Sequence, residues 1–214
     1  MYSLIAQPFL RAEKSVAIVG YRTYPTTDVD GQVNDLERAM DCLRREYPAV
    51  NDITLVGHSS GAHISMLGLL SGKLTVDRFV GLSGVYDIAA HYCFERGRGV
   101  ERISPLAPAC GGSLETWRRN SPTQLVATAS DSLDGLPPML ICHGGLDTTV
   151  PYSSSVNFVN AVHCVSNSLR QTCSLLILPD VEHADTAMHL MFGGETQEAV
   201  MDWVAQQTAT TSNA

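Results

Sequence analysis

Ile53-Thr-Leu-Val-Gly-His-Ser-Ser-Gly-Ala-His-Ile-Ser-Met-Leu-Gly-Leu-Leu70 passes from a short apolar run, through Gly57-His-Ser-Ser-Gly61, into a longer apolar segment. Read as strand, turn and helix, this order gives Gly-x-Ser-x-Gly its meaning, because a sharp strand-to-helix turn lifts the serine hydroxyl above the sheet edge. The two glycines are expected to relieve crowding at the turn, and a helix N-terminus favours negative charge developing beside it. Ser59 is therefore the candidate nucleophile, and the backbone N–H of Ser60 the candidate oxyanion-hole donor. A chance match of common residues is the competing explanation, and the flanking strand and helix weigh against it.

Outward from this segment, apolar runs alternate with helical patterns. Ser15–Gly20, Ile53–Val56, Arg78–Ser83, Met139–Cys142 and Ser174–Leu178 read as strands. A turn-rich stretch, Thr23–Asp28, precedes Val33, Leu36, Ala39, Met40 and Leu43, which recur at helical spacing up to a stop near Pro48. Further helices are expected over 62–70, 154–165 and 195–204, followed by a frayed polar tail over 206–214. Strands apolar on both faces, each followed by a helix, predict an α/β fold with a mainly parallel sheet covered on both sides. Residues 86–136 break the alternation and are expected to form a lid-like insertion with its own helices over the site, within one domain spanning 1–214.

The 214 residues are 44% apolar and 17% charged, enough for a sizeable core and unlike a disordered chain. A net charge of −8 and the lack of a Lys/Arg-rich block argue against nucleic acid as a partner. Gln7 and Pro8 interrupt the N-terminal apolar residues, so no secretory signal is expected, and no run approaches the length of a transmembrane span. Cys42, Cys93, Cys110, Cys142, Cys164 and Cys173 show neither a Cys-x-x-Cys pair nor zinc spacing. They are expected to be mostly reduced, buried thiols in a cytoplasmic protein. No metal or organic cofactor is implied.

A serine nucleophile needs a base and an orienting acid, in the chain order Ser, Asp or Glu, His. Of seven histidines, only His183 lies in the loop after the last strand, within Leu178-Pro-Asp-Val-Glu-His-Ala-Asp185, and it is the expected base. His58, His63, His91, His143, His163 and His189 are read as surface or locally hydrogen-bonded residues. The acid is expected after the preceding strand, where Met139-Leu-Ile-Cys-His-Gly-Gly-Leu-Asp147 places Asp147. Asp180 is a weaker candidate, being only three residues from His183 on the same loop, and Asp87 and Asp134 fall in or beside the insertion. Together these residues point to acyl transfer on a small-molecule ester.

Gly57-His-Ser-Ser-Gly-Ala-His63, Phe79-Val-Gly-Leu-Ser-Gly-Val-Tyr-Asp87 with His91 to Arg98, and Leu140-Ile-Cys-His-Gly-Gly-Leu-Asp-Thr-Thr-Val-Pro151 resemble α/β-hydrolases of the carboxylesterase type. Within them the chain is similar to the group of isoprenylcysteine methylesterases and arylformamidase-like enzymes, from about Val16 to Val204. The resemblance implies an α/β-hydrolase fold, a Ser59–Asp147–His183 triad and small methyl or aryl esters, including prenylcysteine-like ones, as substrates. A formamidase or peptidase on the same fold, and a non-catalytic binding protein, are the alternatives. The family's His-Gly-Gly oxyanion loop precedes the strand that resembles Val16–Tyr21, where this sequence has only fifteen residues. His143-Gly144-Gly145 is no substitute, being next to the acid. The expectation is an N-terminally truncated hydrolase lacking an interior strand, hence weak or inactive alone. In the insertion, Phe94, Glu95, Arg96, Arg98, Glu101 and Trp117 offer walls and charges for a substrate.

Overall fold

Thr54-Leu-Val-Gly-His58 (β1) pairs in parallel with Arg78–Leu82 (β2), which pairs with Met139–Gly144 (β3), which pairs with Cys173–Leu178 (β4). The computed structural model describes residues 2–129, 133 and 135–212, and among them these four strands form one sheet in the order β1-β2-β3-β4. The helices are α1 (Gln7–Arg11, after a 3-10 turn at Tyr2–Ala6), α2 (Val29–Glu46), α3 (Ser60–Leu70), α4 (Ile88–Gly97), α5 (Leu106–Ala109) and α6 (Leu114–Arg119). There follow α7 (Pro122–Ala127), α8 (Ser153–Val165), α9 (Leu169–Thr172), α10 (Asp185–Phe192) and α11 (Glu195–Ser212).

The side-chain period of two sorts the central strands onto two cores. Phe79, Met139 and Ile141 join Leu36 and Met40 of α2, Ile64 of α3 and Phe158 of α8 on one face. Val80, Leu82, Leu140 and Cys142 join Leu190 of α10, Val200 and Trp203 of α11, with Ile5 and Phe9, on the other. β2 and β3 are buried along their whole length, as central parallel strands must be, whereas β1 and β4 are only partly covered. Each large apolar side chain fully buried here contributes at most about 1.5–3 kcal/mol.

Ser15–Gly20 does not form the expected strand. Residues 14–23 are irregular and mostly exposed, with Ile18 52% accessible. Parallel pairing needs a neighbour supplied by distant sequence, and among the described residues the ladder of β1 runs to β2 alone. Val19 and Tyr21 pack on the core instead. Arg22 then grips Asp35 of α2, donating from its backbone N (3.0 Å), Nε (2.9 Å) and Nη2 (2.7 Å), and this pairing holds the Asp35 carboxyl down at about 2. α2 starts where Asp28 accepts from the Gly31 N–H (2.9 Å) and ends just before Pro48, as its spacing predicts.

Residues 88–127 fold into four short helices, α4 to α7, that pack on one another and, through α7, on α3 and α8. His63 of α3 ties into them, its Nε2–H donating to Asn120 O (2.8 Å). At the C-terminus, α11 continues to Ser212 where fraying was expected beyond 206; residues 213 and 214 lie outside the described residues. Only half of the cysteines are buried: Cys110, Cys142 and Cys173 are, their thiols pushed up to about 12 by burial, while Cys42, Cys93 and Cys164 are exposed, and all six are unpaired. Among the described residues no helix is long and apolar enough to cross a membrane.

β3 and the loop after β4 meet backbone to backbone. Gly145 N–H donates to Leu178 O (2.7 Å) and Leu146 N–H to Val181 O (3.1 Å). A Cβ on Gly144 would overlap Val181 O, and one on Gly145 would stand 2.7 Å from Pro179 O. Gly144→Ala should therefore destabilise the protein by about 1–3 kcal/mol, measured by urea unfolding. Gly61→Ala, whose Cβ would meet only Tyr21 Oη at 3.8 Å, should cost far less.

Burial also pushes His63 down to about 4, against an ordinary value near 6.5. Between those values the unfolded chain binds a proton that the folded chain refuses, so this stability is complete above pH 6.5 and is lost as pH falls toward 4. Melting temperatures across that window should fall less steeply in His63→Gln than in the unsubstituted protein.

Candidate active site

β1 ends at His58 and α3 begins at Ser60, so Ser59 alone turns the chain. It does so at φ 53°, ψ −119°, a conformation costing a non-glycine residue about 1–3 kcal/mol. Backbone bonds on either side hold it there: Ser59 N–H donates to Leu82 O (2.8 Å) and Ser59 O accepts from His63 N–H (3.1 Å). Gly57 is needed at this turn, since its Cβ would lie 2.7 Å from Ala62 N and Gly61 O. Gly61 is not, because its Cβ would point into ordinary contact distance, which corrects the expectation that both glycines relieve crowding. Ser60 opens α3, so its N–H belongs to the helix-terminal donors that lack an intrahelical acceptor. Its Oγ is 3.1 Å from Tyr21 Oη, which fastens the irregular segment 14–23 to the turn.

The loops after β3 and β4 bring the expected acid and base to Ser59. His183 Nδ1 is 2.7 Å from Asp147 Oδ2, and His183 Nε2 is 3.0 Å from Ser59 Oγ. Asp147 Oδ1 accepts from the backbone N–H groups of Thr149 (2.9 Å) and Val150 (2.8 Å), and Oδ2 also faces His143 Nε2 at 3.2 Å. Burial by itself raises the Asp147 pKa, but the hydrogen bonds from His143, His183 and Val150 more than offset it and hold the carboxyl well below its usual range. An ionised carboxylate only accepts, so His183 Nδ1 carries the proton and Nε2 is left to accept from the Ser59 hydroxyl.

Two histidines outside the expected set brace this arrangement. His143 is wholly buried, its Nε2–H shared between Val150 O (3.0 Å) and Asp147 while Nδ1 accepts from Ser155 Oγ–H (2.7 Å). His58 donates from Nε2 to His183 O (3.0 Å), and burial pushes it down to about 4, leaving it neutral near neutral pH. Their sequence signal is adjacency alone: His143 directly follows a strand four residues before Asp147, and His58 precedes Ser59.

The rival acids lie elsewhere. Asp180 is exposed, and Asp87 caps α4 by accepting from Ala90 N–H (2.9 Å) and Gln124 Nε2 (2.8 Å). Asp134 lies outside the described residues. Of the insertion residues, Trp117 packs on Tyr92 and donates to Ala107 O (3.0 Å), and Arg96 faces solvent. Arg98 covers the Phe94 ring, and Glu95 is buried beside His91.

The BD-FAE family model matches residues 1–162. The chain is 26% identical over 182 residues to the isoprenylcysteine alpha-carbonyl methylesterase ICME of Arabidopsis thaliana, covering 76% of this chain and 42% of that protein. It is 27% identical over 201 residues to the esterase LipC of Mycobacterium tuberculosis, covering 85% and 48%. The chain thus spans less than half the length of these relatives. The solved structure of EstE5 superposes with a TM-score of 0.73 at 18% identity, covering 97% of this chain and 70% of that one, a likeness that carries the fold. With its α/β-hydrolase architecture and a family match over most of its length, the chain belongs to the BD-FAE family.

Proposed function

We propose that this chain is a serine hydrolase that cleaves carboxylic esters through an acyl-enzyme. The observation that carries the reading is the unbroken line from Ser59 Oγ to His183 Nε2 (3.0 Å) and from His183 Nδ1 to Asp147 Oδ2 (2.7 Å), at a strained strand-to-helix turn. Ser59 Oγ attacks the ester carbonyl while His183 Nε2 takes its proton. The imidazolium so formed faces a carboxylate that stays ionised, and the Ser60 N–H at the start of α3 stabilises the oxyanion. Collapse passes the proton from Nε2 to the leaving alkoxide, and water then releases the acyl group by the same route. The methylesterase and esterase relatives support small esters as substrates, prenylcysteine-like methyl esters among them.

The Ser60 N–H opens α3 as one oxyanion donor, while His143-Gly144-Gly145 joins the loops that carry Asp147 and His183.

Hydrolysis of p-nitrophenyl acetate tests the assignment. Ser59→Ala should reduce kcat by about 10⁴-fold or more, and Asp147→Asn by about 10⁴-fold, the scale measured for the equivalent change in a serine protease. Turnover by folded Ser59→Ala equal to that of the unsubstituted protein would refute it.

A further inference from the structure

α4 holds a buried pair for which ester cleavage as described has no use. His91 and Glu95 are 6% and 7% exposed and lie one helical turn apart, with His91 Nε2 3.1 Å from Glu95 Oε1. Each keeps a second polar atom, His91 Nδ1 and Glu95 Oε2, that is buried without a hydrogen-bond partner. Burial pushes the His91 pKa below its ordinary value against the pull of Glu95, favouring the neutral ring. With Nε2–H donating to the carboxylate, Nδ1 is a bare acceptor, as is Glu95 Oε2. A buried polar atom left unpaired is destabilising, a cost that a ligand bringing N–H donors would recover.

The pair belongs to the same region as Ser59. His63, one turn along α3 from Ser59, donates to Asn120 O (2.8 Å), and the neighbouring Ser121 Oγ accepts from Ile88 N–H (2.9 Å) at the start of α4. Just past the end of α4, Arg98 Nη1 donates to Thr148 O, the residue after Asp147. That bond and the Phe94 ring beneath it, 5.5 Å away, engage the Arg98 charge. Glu101, on the turn that follows, buries an unpartnered Oε2 as well.

We propose that His91 and Glu95 form an ammonium subsite, so that the ester taken by this chain carries a primary amine near the scissile carbonyl. An ammonium group has three N–H donors and no acceptor, matching two bare acceptors, one of them a carboxylate. The net charge of −8 favours the approach of a cation. An ester without the amine leaves both acceptors unfilled, the situation in which binding sites discriminate most strongly. Which bond is cut rests on Ser59 being the nucleophile; binding of the ammonium group does not.

The test is calorimetric titration of Ser59→Ala with phenylalanine methyl ester and with methyl hydrocinnamate, its counterpart lacking the amine. A pH of about 6.5 keeps most of the α-amine protonated. At least tenfold tighter binding of the amino ester is expected, and Glu95→Gln in the same background should abolish the difference. Should Glu95→Gln fail to fold by circular dichroism, His91→Gln should shrink the difference instead. Equal affinity for the two esters would overturn the subsite, as would undiminished discrimination in a folded variant. Turnover of p-nitrophenyl acetate by the unsubstituted protein separates the two claims. Discrimination without turnover supports the subsite and removes the esterase reading, while turnover without discrimination does the reverse.

Discussion

The close backbone approach at Gly144 and Gly145 is the constraint on which the site depends. Asp147 and His183 lie on separate loops, 36 residues apart in sequence. They meet because the end of β3 can touch the carbonyls of Pro179 and Val181, with hydrogen bonds from Gly145 and Leu146 fixing the contact. A side chain at Gly144 would push the two loops apart, and a displacement of about 1 Å in a catalytic constellation costs on the order of 10²-fold. The His-Gly-Gly sequence is thus used for packing, and its histidine holds Asp147 from below.

Ser59 is positioned by a different device. A parallel strand followed directly by a helix leaves one residue to reverse the chain, and the resulting strain is held by bonds to Leu82 and His63. The same turn places the first N–H of α3 beside the serine, so the proposed nucleophile and oxyanion donor are consecutive residues. His58 on the strand side reaches across to the backbone of His183, tying the Ser59 turn to the loop carrying the proposed base.

What the sequence discloses follows how local each feature is. α2, α3, α8 and the four paired strands were legible because apolar spacing is a property of neighbouring residues, and chain order isolated Ser59, Asp147 and His183, which the fold brings within hydrogen-bond distance. Ser15–Gly20 carries the same apolar signal, yet it is no strand, because a ladder needs a partner that local spacing cannot reveal. α11 runs on to Ser212 because extending a helix already formed costs far less than starting one, even through Thr and Ser. The role of Gly57 against the idleness of Gly61, and the bracing by His143 and His58, depend on distances between loops and could not be read from either loop alone.

The central claim is that Ser59, His183 and Asp147 act as one nucleophilic unit. Treating the folded protein with a fluorophosphonate and reading its intact mass tests it most directly. A single stoichiometric adduct, lost in Ser59→Ala and in His183→Ala, is the predicted result. A folded chain that takes up no adduct, or an adduct that survives Ser59→Ala, would contradict it.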